Sequence, residues 1–212
     1  MLQPSLTCPD TLQALESHFD RPPIRLGIMA SGNGSNFEAI AQAIDEKRLN
    51  ARITVVIYNN PGAGIAARAA KRQIPALLLN HRDFERREDL DHKIVVALQQ
   101  HKATWVIMAG WMRRVTTTLI QAFPNRILNI HPSLLPSFPG MRAIEQALNA
   151  GVKIAGCTVH HVVLEVDSGP IVAQAAVPVY VGDTPEQLQQ RIHNEEHKLY
   201  PQAIMLAASH RV

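Results

Sequence analysis

Apolar positions along this chain follow two rhythms. Short runs rich in β-branched residues read as strands: Ile24 to Ala30, Arg52 to Tyr58, Ala76 to Leu79, Thr104 to Ala109, and a run entering Ile127-Leu128-Asn129-Ile130-His131. Between them, apolar residues recur at helical spacing. Ile40 and Ile44 mark one helix, the Ala-rich stretch 63–72 a second, Leu90, Ile94, Val95 and Leu98 within 83–102 a third, and 116–123 a short fourth. Strands alternating with helices predict βαβ units and a mostly parallel, twisted α/β sheet with helices on both faces. After His131 the pattern changes. A Pro-rich loop over 133–140 and a helix over 142–150 lead to β-rich segments at 157–163 and 171–179, which predict antiparallel strands near the C-terminal end. A last helix runs from about 184 to beyond 200, with Leu188, Ile192 and Leu199 inward. No repeat or linker breaks residues 24–212, which read as a single domain. Residues 1–23 read as an N-terminal extension with a short helix near Asp10, carrying Leu12, Leu15 and Phe19.

The strand ending at His131 carries the most chemistry. Asn129 and His131 are two apart, so on an extended chain they project from one face. Pro132 cannot donate to a ladder, so pairing stops there. A hydrogen-bonding amide and a titratable imidazole then share the carboxyl end of a strand, where open α/β sheets hold their ligands.

A second candidate follows the first strand. Ser31-Gly32-Asn33-Gly34-Ser35-Asn36 joins a strand to a helix, the arrangement that offers free backbone N–H groups to an anion. A dinucleotide fingerprint fits poorly, because Phe37 stands where its third glycine belongs and no acidic residue ends the second strand. A Walker loop is excluded because no Gly-Lys-Ser/Thr follows. A single terminal phosphate suits the turn better.

Composition narrows the partners. Among 212 residues, 21 Lys and Arg face 18 Asp and Glu, a net charge of +3 with no long like-charge run, so no footprint for nucleic acid or an anionic membrane is expected. Cys8 and Cys157 are too few for a disulfide framework or a zinc site, and no metal is expected. No segment has the make-up of a signal peptide or a membrane span, so a cytoplasmic location is expected.

Taken together, these pieces resemble the phosphoribosylglycinamide formyltransferases, folate-dependent enzymes of purine synthesis. The matching segments are Ser31 to Asn36, Ala109-Gly110-Trp111-Met112-Arg113, Asn129 to Pro136, Asp167-Ser168-Gly169-Pro170, and Glu195-Glu196-His197 before Tyr200-Pro201. The resemblance implies a Rossmann-like formyltransferase fold and transfer of a formyl group from 10-formyltetrahydrofolate, as co-substrate, to the amine of 5′-phosphoribosylglycinamide. It implies catalytic roles for Asn129, His131 and Asp167. Gly34, Ser35, Asn36 and Glu196 would hold the ribonucleotide. Arg87, Met112, Arg113, Arg114, Val115 and Asn129, with Val163, Leu164, Glu165, Val166 and Asp167, would line the folate site. Without the resemblance, Asp167 reads as a turn residue, and Met112 and Val115 as core. The loop after Pro136 departs from the family pattern at Ser137 and across Arg142 to Ile144. Formyltetrahydrofolate deformylase is the runner-up, weakened by the absence of room for its N-terminal domain. Methionyl-tRNA formyltransferase and a non-enzymatic binding module rank lower. A monomer or homodimer is expected.

Overall fold

The strand rhythm resolves into one eight-stranded sheet, described over residues 6–8 and 21–209 of a computed structural model. In chain order its elements are β1 (Leu6–Cys8), β2 (Ile24–Ala30), α1 (Ser35–Asp45), β3 (Ala51–Tyr58), α2 (Ile65–Lys71), β4 (Ala76–Leu78), α3 (Arg87–Gln100), β5 (Trp105–Met108), α4 (Thr117–Ala122), β6 (Ile127–His131), α5 (Ala143–Asn149), β7 (Ile154–His161), β8 (Ile171–Pro178) and α6 (Pro185–Ser209). The spatial order is β1-β8-β7-β6-β5-β2-β3-β4. Strands β6, β5, β2, β3 and β4 run parallel; β7, β8 and β1 add on antiparallel.

Alternation along β2 shows how the sheet divides two cores. Leu26, Ile28 and Ala30 join Phe37, Ile40, Ile65, Leu199 and Ile204 under α1, α2 and α6. Met29 instead joins Ile94, Leu98 and Leu119 under α3 and α4. Gly27 lies where any Cβ would run into Leu98, so α3 packs directly on the β2 backbone. Strands covered on both faces need apolar residues at nearly every position, hence the unbroken runs in the sequence.

Several boundaries differ from the sequence expectation. Helix α3 starts at Arg87 rather than near Asp83, because the Asn80 side chain accepts from Arg82 N (3.2 Å) and holds His81–Asp83 in a separate 3-10 turn. Strand β7 starts at Ile154, paired with Pro178, and ends at His161 after a register shift at Val159/His160, which frees Val162 and Val163 for the following loop. Ser35 and Asn36, expected in the turn, form the first turn of α1. Within the N-terminal extension, Leu6–Cys8 pairs with Gln174 to Ala176 of β8, so β8 is not the sheet edge. The helix expected near Asp10 to Phe19 lies outside the described residues.

Helix α6 continues through Pro201, and the residue before it serves as a strut. Tyr200, fully buried, directs its hydroxyl at Met108 O (3.2 Å), at the end of β5, and Leu128 O (3.0 Å), next to Asn129 in β6. Burial pushes the phenol well above its ordinary pKa, so it remains a donor. Tyr200→Phe leaves these carbonyls without that donor and should cost about 1–3 kcal/mol of stability. Urea unfolding at constant m-value measures it; an unchanged midpoint would refute the strut.

Candidate active site

Strand β6 delivers Asn129 and His131 to its carboxyl end, as the alternation requires. The loop after β7 folds back over them and brings Asp167 into the same space. Its carboxylate takes the His131 Nδ1 contact at 3.3 Å and a hydrogen bond from Gly140 N at 2.9 Å through Oδ2. Oδ1 lies 3.5 Å from Asn129 Nδ2 and 3.6 Å from His160 Nε2. The Asp167 side chain is only 9% exposed and that of His131 7%, so these are desolvated interactions. Asp167 sits at φ +53°, in the left-handed region that aspartate tolerates better than most residues.

The ring contacts constrain the protons. His131 Nε2 lies 2.9 Å from Phe138 O, and a carbonyl only accepts, so this nitrogen carries hydrogen. Nδ1 faces the carboxylate, which also only accepts when ionised, so the imidazolium satisfies both contacts. His160 Nδ1 donates to His161 O at 2.9 Å; its Nε2, 3.2 Å from Asn129 Nδ2 and 3.6 Å from Asp167 Oδ1, accepts from the amide when the ring is neutral and turns a proton to the carboxylate when the ring is charged. Burial pushes the Asp167 carboxyl up, but the hydrogen bond with His160, the Gly140 N–H and the charges of His131 and His160 outweigh it. The net effect holds the carboxyl below its ordinary value.

The Gly34 turn lies beside α6. Gly34 has φ +79°, and a Cβ there would press on Ile65, so only glycine suits the position. It opens α1 without a side-chain cap, and the first N–H groups of a helix have no partner within it. That end is suited to an anion. Asn36, in the first turn, donates to Glu196 Oε2 at 2.9 Å. Glu196 is 4% exposed; burial raises its carboxyl against the opposing pull of Asn36 and His193. His193 Nε2 stands 4.0 Å from it. Asn36 Oδ1 is buried with no partner among the described residues.

On the far side, the loop after β5 and the loop after β7 present apolar side chains to solvent. Met112 is 71% exposed and Leu164 63%, with Val163 and Val166 also open. Met112 is therefore not core. Val115 is: its side chain is buried beside Leu119, so only its backbone can face a ligand. Arg113 is half-buried and its Nε is unpartnered; Arg114, Glu165 and Arg87 are exposed. Arg87 opens α3, and that helix is joined to the Met112–Val115 segment by Asp91, whose carboxylate receives Thr116 N at 2.5 Å. Among the described residues, no group of three or more His, Cys, Asp or Glu could hold a metal ion, and no helix is long and apolar enough to cross a membrane.

Sequence reasoning missed five contributors. His160 lies directly opposite Asn129 in the β6–β7 register, a relation visible only once the strands are paired. Asp91 reads as one more polar position in an amphipathic helix. Phe138 and Gly140 act through the backbone, which no residue type announces. Ser31 appeared only as part of the turn, yet it binds Gly110 and Met112.

Comparison with known proteins points to one family. A family description of formyl transferases matches residues 24–204. Phosphoribosylglycinamide formyltransferase of Bacillus subtilis is 42% identical over 180 residues, covering 85% of this chain and 92% of that protein. The human trifunctional purine biosynthetic protein adenosine-3 is 39% identical over 198 residues, 92% of this chain but 20% of that longer protein. The crystal structure of glycinamide ribonucleotide transformylase 1 from Symbiobacterium toebii superposes with a TM-score of 0.87 at 47% identity, covering 90% of both chains.

The depressed Asp167 carboxyl sets a pH dependence. A lowered folded-state pKa contributes stability that is complete above the unfolded value, near 4, and is lost as pH falls through the folded one. Asp167→Asn should therefore be less stable than the parent at pH 7, by a margin that shrinks at about pH 3. Urea midpoints at the two pH values test this. A margin independent of pH would mean that the site does not hold the ionised carboxylate.

Proposed function

This chain belongs to the formyl transferase family, and we propose that it transfers the formyl group of 10-formyltetrahydrofolate to the primary amine of 5′-phosphoribosylglycinamide, a step of purine synthesis. The observation that carries the reading is the placement of Asn129 and His131 around one buried carboxylate, together with an anion-suited helix end and exposed apolar side chains on the loops after β5 and β7. The terminal phosphate would rest on the Gly34, Ser35 and Asn36 backbone, and buried Glu196 would take the ribose hydroxyls. Met112, Leu164 and Val166 would cover the folate rings, with Arg87, Arg113 and Arg114 toward its carboxylates.

In this reading the amine nitrogen attacks the formyl carbon, a C–N bond forms, and the carbonyl π electrons move to oxygen. His131 would donate to the developing oxyanion through Nε2, exchanging the Phe138 carbonyl for it, while Nδ1 stays on Asp167. Asn129 supplies an amide hydrogen: its 3.5 Å approach to Asp167 is long, so that N–H can turn to an oxyanion instead. The electrons then return and the bond to N10 breaks. The amine gives up one proton and N10 receives one, so protons balance overall. Asp167 keeps His131 oriented through this exchange, while His160 fixes the Asn129 amide.

Tetrahydrofolate release from 10-formyltetrahydrofolate, followed with and without the ribonucleotide, tests the reaction. Release that requires the ribonucleotide, with the formyl group recovered on it, is expected. Equal release in its absence, with formate appearing, would make the chain a deformylase. His131→Ala should lower the transfer rate by roughly 10²- to 10⁴-fold. Near-full turnover in that variant would remove His131 from the mechanism.

A further inference from the structure

The two substrate-binding segments meet at Ser31. This residue follows β2 directly and begins the Gly34 turn, and it is 7% exposed. Its backbone N–H donates to Gly110 O at 3.0 Å, and its hydroxyl oxygen accepts from Met112 N at 2.8 Å. Its carbonyl receives Asn60 Nδ2 at 2.8 Å, which anchors it from the β3 side. Gly110 itself turns at φ +83°, so the segment leaving β5 bends immediately toward Ser31. Strand pairing does not require these contacts: the ladder between β2 and β5 ends at Met29 and Met108. The link is a separate connection between the turn suited to a phosphate and the loop that presents Met112.

We propose that Ser31 is a positioning residue that couples the two substrate sites, so that occupancy of one tightens binding at the other. The inference rests on the formyl-transfer reading above. An anion on the N–H groups of Ser35 and Asn36 fixes the turn three residues beyond Ser31. The Ser31 hydroxyl passes that constraint to Met112 N, on the loop that must settle against the folate rings. The second ligand then meets a loop already held, and part of its ordering cost has been met. Thermodynamic reciprocity requires the folate to tighten the ribonucleotide by the same factor. Ser31→Ala removes only the hydroxyl oxygen in a buried position. The turn keeps its N–H to Gly110 O, so each ligand retains its own contacts while the communication is lost.

The test measures binding without turnover. Tetrahydrofolate, which has no formyl group to give, is titrated calorimetrically into the protein alone and into protein saturated with 5′-phosphoribosylglycinamide. In the parent its Kd should fall by about five- to tenfold in the presence of the ribonucleotide. The reverse titration should give the same ratio. In Ser31→Ala the ratio should drop below about twofold, with both separate Kd values within a few-fold of the parent. Ser31→Thr, which keeps a hydroxyl at Cβ, should restore the ratio. A parent ratio of one, or a ratio unchanged in Ser31→Ala, overturns the coupling. If neither compound binds the parent, the substrate assignment fails first and the coupling falls with it; if both bind independently, only the coupling fails.

Discussion

A carboxylate removed from water must be surrounded by donors, and the candidate site is built to meet that demand at Asp167. Leaving such a charge unpaired would cost several kcal/mol. Its partners come from three separate stretches: Asn129 and His131 from β6, His160 from β7, and Gly140 from the loop after β6. No local segment can assemble that set. The antiparallel turn of the sheet at β7 places His160 opposite Asn129, and the loop from Val162 to Pro170 must then double back to bring the carboxylate between them. Gly169 permits the return, because a Cβ there would collide with the His161 carbonyl. The cost of the reversal is taken locally, in the left-handed backbone of Asp167, at about 1–3 kcal/mol.

The second constraint is the alignment of the two ends of the site, and α6 provides it. Glu196 and Tyr200 are one helical turn apart and so lie on one face. Glu196 binds Asn36 at the start of α1, while Tyr200 binds the carbonyls that precede the Met112 loop and Asn129. A single rigid element thus sets the distance between the anion-suited helix end and the strand that carries His131. Such groups gain precision when they stand on helices and strands and are held by neighbouring hydrogen bonds, rather than on loops alone. Pro201 directly follows Tyr200 in this helix and is buried, so a residue that usually ends a helix here belongs to its packed interior.

Much of this was legible in the sequence, and the limits have physical reasons. Strands β2, β3, β5 and β6 declare themselves because burial on both faces leaves largely apolar runs, and their boundaries fall within a residue or two of expectation. The alternation that puts Asn129 and His131 on one face is a property of any extended chain. Helix starts were less legible: Asn80 captures the turn ahead of α3 through its side chain, a competition that periodicity does not record. His160 and Asp91 stayed hidden because their roles depend on pairing across the fold. Met112 looked like core by residue type, and only its position on a loop at the open end of the sheet exposes it. Met112 and Val115, three residues apart in one loop, have opposite fates, because Val115 turns into the core under α4.

The loop from Ser137 to Ile144, where Ser137 and Arg142 to Ile144 were expected to depart from the family pattern, contributes to the centre without depending on those side chains. Phe138 offers its carbonyl to His131, Gly140 its N–H to Asp167, and Ser137 its carbonyl to the Ser133 hydroxyl at 2.6 Å. Each is a backbone atom. Phe138, Gly140 and Arg142 all have positive φ, so what the centre requires from this segment is a path that enters the left-handed region at three residues. Ile144 faces the core and Arg142 faces solvent, away from the demand for donors. A loop that serves through its backbone can change side chains while the site stays intact, provided Gly140 keeps its own positive φ of 78° and the N–H that reaches Asp167. The invariant of this site is therefore partly a course of the chain, and substitutions there should be judged by the turns they permit more than by the groups they carry.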